Sequence, residues 1–342
     1  MSLLGMFTPF ESGFFLFFIV LIIAVASLFY RERWNRKVVI HKKAANQILS
    51  EHDFQSFSPP MISQLIYGRG AYTRHITAGL LNLVRKQILT LNKDARGPTY
   101  YFSVDAAKEK PHSLDEKYLY DWILYEVGND GVFYVDDLYF YTQDDEKREQ
   151  FLHRLSDWEQ TMQHELEKKK FIVKFPVFKK VLFALSILMI LLGSGLIISS
   201  PFLSILYLAA GVTTFITMLV SSSRTHKGLL EYNKWRPFVE DLQTSSDLKV
   251  EDENKLTASF VYAIAFGLKD SYVKKFPIRE ATQLSLKNDQ FPLYFAAGSG
   301  TTIFSLEGIK LVDDLEASLD QIVSPVGFND GEGSDGSSQL VD

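Results

Sequence analysis

The residues suited to chemistry are few and scattered. Seven histidines stand at His41, His52, His75, His112, His153, His164 and His226. His164-Glu165 begins the zinc pattern HExxH, but Lys168 occupies the second histidine position. One ligand is then missing from that helix face, and a solvated charged face is expected. Gly298-Ser-Gly-Thr-Thr302 suggests a phosphate loop. It lacks the lysine and the glycine spacing of either nucleotide fingerprint, so it reads as a turn. No GxSxG elbow is present. Asp136-Asp137 and Asp144-Asp145-Glu146 could attract a cation, yet the spacing of a calcium loop is absent. Acidic patches at helix N-termini are the simpler reading. Cysteine is missing entirely, which removes disulfides, thiolate nucleophiles and Cys-ligated metals. The expectation is a chain with no catalytic residue, no cofactor and no metal, and hence not an enzyme.

The elements that would position any site come in two kinds. The 342 residues have a net charge of −5 and 46% hydrophobic residues. The slightly acidic balance excludes a generally basic nucleic-acid binder. Residues 12–30 form 19 consecutive uncharged positions, and residues 181–223 form 43, interrupted by Ser199-Ser200-Pro201. About 20 apolar residues cross a hydrocarbon core. The first run predicts one transmembrane helix at 14–30. The second predicts two, at 181–198 and 202–220, with the Ser-Ser-Pro stretch as their turn. Gly193 and Gly195 suit close helix contact.

Charge orients these helices. Residues 1–13 contain no Lys or Arg, whereas Arg31, Arg33, Arg36 and Lys37 follow the first run. A cleaved signal peptide, suggested by Ala24-Val25-Ala26, would want the basic cluster first. Lys174, Lys179 and Lys180 precede the second span, and Arg224 and Lys227 follow the third. All basic flanks fall on one side if the chain starts outside, so both hydrophilic segments are expected in the cytoplasm.

After a basic juxtamembrane helix at 31–57, a pattern emerges over 58–104. Pro59–Gly68 reads as a short helix and Thr73–Lys86 as a second. Ile88–Leu91 and Thr99–Val104 read as a β-hairpin. Helix, helix, hairpin is the outline of a winged helix-turn-helix. The segment holds six basic residues and one acid. A DNA reader would present Arg74, His75, Asn82, Arg85 and Lys86 from its second helix. The simpler alternative lets Arg85 and Lys86 satisfy the helix C-terminus.

Residues 111–173 form a second helical, winged-helix-like module. Ser113-Leu-Asp-Glu116 is a capping box. Residues 144–170 form a long helix with a core stripe of Phe151, Leu155, Trp158 and Met162. Residues 111–167 carry fifteen acids and four basic residues. That field repels nucleic acid and could instead attract the basic first module, so two modules packed on each other are expected. Residues 224–310 predict a helical C-terminal domain, including a buried helix around Leu256–Leu268. Residues 311–342 hold eight acids and no basic residue. They predict an acidic tail, disordered from about residue 327.

Several stretches together resemble the YciQ-like predicted membrane proteins, a bacterial family of unknown function. They are Pro59–Gly68 and His75–Leu91 directly after a membrane helix, Leu114–Val127, the long helix with its basic end, and the close helix pair. Trp235-Arg-Pro-Phe238, Asp241-Leu242, Asp247-Leu248 and Phe260–Leu268 complete the set. The likeness covers roughly residues 14–280. It implies an N-terminal signal and a β-rich extracytoplasmic domain before the first span, where only about 13 residues stand. It implies no catalytic residues.

The expectation is therefore a mainly α membrane protein of the bacterial cell membrane, with three transmembrane helices and α+β, winged-helix-like cytoplasmic modules. Its partners are the lipid bilayer and a protein partner or a second copy, with nucleic acid disfavoured. A scaffold or regulator is the leading reading. A membrane-tethered DNA-binding regulator and a subunit of a transporter or enzyme complex are the alternatives.

Overall fold

The computed structural model describes residues 9–43, 49–68, 70–93, 100–104, 110–173, 176–220, 223–244, 253–274, 278–279, 294–296 and 302–324. The chain divides into two compact units. One comprises Met1–Leu49 with Leu166–Phe238, the other Ser50–Glu165 with Val239–Asp342.

The first unit is built from long apolar helices. α1 runs Pro9–Lys43, α8 Val177–Gly195 and α9 Pro201–Val220. All three are long and apolar enough to cross a membrane. Pro201 opens α9, where a missing N–H costs nothing. α8 and α9 pack as an antiparallel pair through small residues. A Cβ on Gly193 would stand 2.8 Å from Leu208 Cγ, and one on Gly211 2.8 Å from Ile190 Cγ1. Gly195 has nothing near it, so the close approach uses one glycine from each helix rather than the Gly193/Gly195 pair. Ser186 donates to the Gly211 carbonyl at 2.9 Å and Ser204 to the Gly193 carbonyl at 2.7 Å. Such hydrogen bonds hold helices together where no hydrophobic force separates them from lipid. α1 joins through Tyr207, whose hydroxyl donates to Phe14 O at 2.8 Å and whose ring meets Phe18 edge-on.

The ends of the α8–α9 hairpin are tied together. Ile172 bridges Arg224, Val173 N donates to Ser223 O at 3.0 Å, and Thr225 N to Phe171 O at 2.9 Å. Residues 171–173 thus contribute one isolated bridge. α10, His226–Thr244, starts directly against this turn. A Cβ on Gly228 would fall 1.8 Å from Phe171 O, so only glycine fits.

The second unit is a helical domain with a small sheet. α2 spans Glu51–Ser56, α3 Pro59–Tyr67 and α4 Thr73–Arg85. Ser58 caps α3 by accepting from Met61 N, and Gly68 closes it at φ +64°, a left-handed turn that glycine makes freely. β1 (Leu89–Lys93) and β2 (Tyr100–Val104) form the expected hairpin, with Leu91 opposite Phe102. The segments read as two modules share one sheet, because β3, Val132–Tyr134, pairs antiparallel with β2 and sets Phe133 beside Phe102. Between them lie α5, Leu114–Asp121, and a π-helical turn at Trp122–Val127. A 3-10 turn at Val135–Leu138, α6 (Tyr139–Gln143) and α7 (Asp145–Lys168) follow. Phe151, Leu155, Trp158 and Met162 are buried along α7.

The same unit takes in the C-terminal segment. α11, Glu253–Ala265, packs on α3 and α4, and α12 covers Lys269–Val273. A second sheet has strand order β4 (Ile278–Arg279), β6 (Thr302–Ser305), β5 (Tyr294–Ala296). α13, Leu306–Val323, occupies the first part of the stretch read as an acidic tail. Leu311, Val312, Leu315, Leu319 and Ile322 are buried along one face. Their spacing is helical, so the acids take the other face. Lys269 pairs with Asp313 at 2.6 Å and Glu316 at 2.5 Å, Thr73 donates to Asp320 at 2.5 Å, and Arg148 donates to Ile322 O at 2.7 Å. Residues from 325 onward, including the expected disordered end, lie outside the described residues, as do residues 298–301.

Candidate functional site

The polar residues of α4 converge on α5. Asn82 is fully buried and donates to Glu116 Oε1 at 2.8 Å. Lys86 Nζ meets the same oxygen at 2.6 Å. Arg85 donates to Asn82 Oδ1 at 2.9 Å and to Phe54 O at 2.6 Å. Beside Glu116, Asp115 is buried, with its carboxylate accepting from Ser58 and its carbonyl accepting from Trp158 Nε1 at 2.9 Å. Burial and the neighbouring Glu116 charge push the Asp115 carboxyl up to about 6. The seam joins α2, α3, α4, α5 and α7, and its polar groups face one another rather than water.

His75 belongs to a second buried link. Its Nδ1 accepts from Tyr72 N at 3.0 Å, so the proton sits on Nε2 and is offered to Ser63 Oγ at 2.9 Å. Ser63 in turn donates to Ala265 O at 3.0 Å. A Ser–His pair acting as nucleophile and base needs the opposite direction. Here the hydroxyl proton is committed to α11, and the pair pins α3, α4 and α11 together. Burial, with Arg74 nearby, lowers His75 to about 3.

Of the five side chains named for DNA contact, Asn82, Arg85 and Lys86 are thus brought together around Glu116, and His75 is paired with Ser63. Arg74 stands apart, its guanidinium 4.8 Å over the Tyr72 ring. The basic flank is spread over the first unit. Arg31 and Arg33 are exposed on α1, and Arg36 and Lys37 continue that helix. Lys180 is exposed and Lys179 half-buried in the first turn of α8. Arg224 lies 4.1 Å over the Tyr232 ring, and Lys227 donates to Lys169 O at 3.1 Å. Lys174 lies outside the described residues.

The acidic pairs act as caps. Asp137 accepts from Tyr134 N at 3.0 Å, and Asp144 accepts from Glu146 N at 3.0 Å. His164 is exposed whereas Glu165 is buried, so the half motif is split between faces. Among the described residues no three His, Asp or Glu side chains gather to hold a metal ion.

Among the described residues of this unit, a furrow between α7 and the α5–π-helix wall holds two cavities. The first, about 480 Å³, has Trp122 and Glu126 on one wall and Glu146, Glu149, His153 and Arg154 on the other. The second, about 600 Å³, has Lys117, Tyr118 and Asp121 facing Asp157, Gln160 and His164. Arg154 crosses between them, donating to Glu126 at 2.8 Å and to Tyr118 at 3.5 Å. π-helical turns frequently mark functional positions. No motif announces this furrow. Its only sequence signal is the charged i, i+3, i+4 row on α7 opposite the core stripe.

Three helices of spanning length joined to a hydrophilic helical unit define a membrane protein. The chain belongs to the family of predicted membrane proteins described by the DUF2207 C-terminal domain, whose model matches residues 51–276. The matched stretch begins after α1 and ends before α13. No curated protein and no solved structure matches the chain.

Proposed function

We propose that this protein is a three-span scaffold or regulator of the cell membrane that binds a protein partner through its second unit. The chain starts outside, and both hydrophilic segments lie in the cytoplasm. The basic flanks at Arg31–Lys37, Lys174–Lys180 and Arg224–Lys227 support this direction. So does the bridge between residues 172 and 224, which keeps the two ends of the helix hairpin on one side. The observation that carries the binding role is the furrow, a solvent-open surface between elements pinned from behind by buried polar links. The winged-helix-like order α3, α4, β1, β2 serves in this reading as a packing module. What favours it over DNA recognition is that Asn82, Arg85 and Lys86 already spend their donors inside the domain.

Two measurements test the proposal. A tag at residue 1 is expected to be reached by a membrane-impermeant reagent on intact cells, and one at residue 342 only after permeabilisation. Protection of both tags would overturn the orientation. Photo-cross-linking groups placed one at a time over the exposed surface of the second unit are expected to capture a discrete protein in cells. Silence at every position would overturn the binding role.

A further inference from the structure

The two cavities are parts of one line. α7 offers Glu146, Glu149, Gln150, His153 and Arg154 to the first cavity. It continues with Asp157, Gln160, Thr161 and His164 in the second. These steps of three and four residues trace a single face of the helix. The opposite wall runs from Leu114 through Tyr118, Asp121 and Trp122 to Glu126. From Glu146 to His164 the face is about 27 Å long at 1.5 Å per residue. The furrow therefore has the length of a helix of roughly 18 residues, bounded by two helical walls.

Its chemistry narrows the occupant. Five carboxylates line it, from Asp121, Glu126, Glu146, Glu149 and Asp157, against the cations of Lys117 and Arg154. Phosphate-bearing ligands, whether lipid headgroups or nucleic acid, meet repulsion there. Beneath the furrow Trp122 and Phe151 are buried, their rings tilted at 52° with centroids 4.8 Å apart, and the half-buried Tyr141 ring stands edge-on to Phe151 at 5.7 Å. Leu114 in the wall is 40% exposed, and next to Tyr141 in sequence Tyr139 and Phe140 are 61% and 60% exposed. Aromatic residues left in water beside a charged rim have the composition of a protein interface. Arg154 already demonstrates the recognition, its guanidinium bridging Glu126 and Tyr118.

We infer that the furrow between α7 and the α5–π-helix wall is the docking site for a basic amphipathic helix of about five turns, supplied by a partner protein. The inference rests on the protein-binding reading above and names the class of partner. The incoming apolar stripe lies on Tyr141, Tyr118 and Leu114, and its Lys or Arg side chains meet Glu126, Glu149, Asp121 and Asp157. The Arg154 guanidinium is displaced from Glu126 or shared by it.

The test uses the full chain in nanodiscs of zwitterionic lipid, which leave a basic peptide no anionic membrane to bind. The probe is a fluorescent 18-residue peptide of Lys and Leu at helical spacing. Its controls are a version with Glu in place of Lys, and empty nanodiscs. Since the chain has no cysteine, Gln160→Cys creates a unique thiol in the furrow. The Lys peptide is expected to bind and to slow maleimide labelling of that thiol at least about fivefold, a direct occlusion. Combining Asp121→Lys with Glu149→Lys is expected to weaken the Lys peptide about tenfold or more and to create binding of the Glu peptide. An unfolded variant would not gain that second affinity. Unchanged labelling with the peptide bound, equal affinity of wild type and reversed variant, or no binding would each overturn the inference. Photo-cross-linkers at Gln150 and Gln160, read beside those on other faces, separate the two levels. Capture elsewhere with these two silent removes the furrow and leaves the scaffold reading standing. Silence everywhere removes both.

Discussion

Replacing Glu116 with alanine is expected to destabilise the second unit by roughly 3–5 kcal/mol, the range for breaking a buried ion pair from one side. Glu116 is 4% exposed, and its Oε1 receives both Asn82 and Lys86. Its removal strands an ammonium whose side chain is only 14% exposed and a fully buried amide. Lys86 can extend its stem toward water, which places the loss at the lower end of the range. Glu116→Gln keeps an acceptor for Asn82 and loses only the charge, so an intermediate loss is expected. Lys86→Met combined with Glu116→Gln removes both charges together and is expected to recover most of the deficit, because the desolvation cost disappears with the attraction. Urea or thermal unfolding of the full chain in detergent measures all four proteins. A loss below about 1 kcal/mol in Glu116→Ala would be that of an exposed pair and would contradict the buried seam.

The second large effect is a pH dependence hidden by compensation. Asp115 moves from 3.8 up to about 6, and His75 from 6.5 down to about 3. Between about pH 4 and 6 the folded chain holds a proton on Asp115 that the unfolded chain has released. Over the same interval the unfolded chain holds a proton on His75 that the folded chain refuses. The Asp115 contribution is full below 3.8 and lost as pH rises through 6. The His75 contribution is full above 6.5 and lost as pH falls toward 3. Each slope is about 1.4 kcal/mol per pH unit, and the two oppose. Stability of the parent protein is expected to be nearly flat there with respect to these two groups.

Single replacements uncover each slope. Asp115→Asn leaves His75 alone, and the protein is expected to lose about 2 kcal/mol between pH 7 and pH 5. His75→Gln retains an amide that can donate to Ser63, so the link to α11 has a substitute. With Asp115 then unopposed, stability is expected to rise by about 2 kcal/mol from pH 7 to pH 4.5. The readout is the change with pH within each variant, which a constant packing loss does not alter. Parallel curves for both variants and the parent would contradict the burial of these two groups.

Parts of this architecture were legible from local patterns. The ends of α3 follow from Ser58, Pro59 and Gly68, and α5 begins after Ser113 as expected, although the Ser113 side chain makes no cap hydrogen bond. α7 was legible because its buried stripe repeats at helical spacing over three turns. The hairpin β1–β2 was legible because both strands are close in sequence. β3 was not, since three residues carry no measurable alternation and their pairing with β2 is set by where α5 returns the chain. α13 was readable in principle from Leu311, Leu315, Leu319 and Ile322. Its run of acids drew the reading toward a tail, although those acids line the face opposite the core.

The sequence by itself determined three runs of spanning length, the basic residues that flank them and most helix ends. Each of these depends on residues within a few positions of one another: length of apolar run, flanking charge, cap chemistry. Only the tertiary structure decided which way the polar residues of α4 point. Arg85 and Lys86 read more simply as helix-end charges than as groove-reaching side chains, but composition and spacing are the same in both cases. For Lys86 the choice was made by Glu116, thirty residues later, whose buried carboxylate accepts from it and from Asn82; for Arg85 it was made by Asn82 Oδ1 and the Phe54 carbonyl, which accept its guanidinium. The furrow is decided in the same way. Its two walls are unremarkable charged helix faces in sequence, and they become a surface only where α5 and α7 run beside each other.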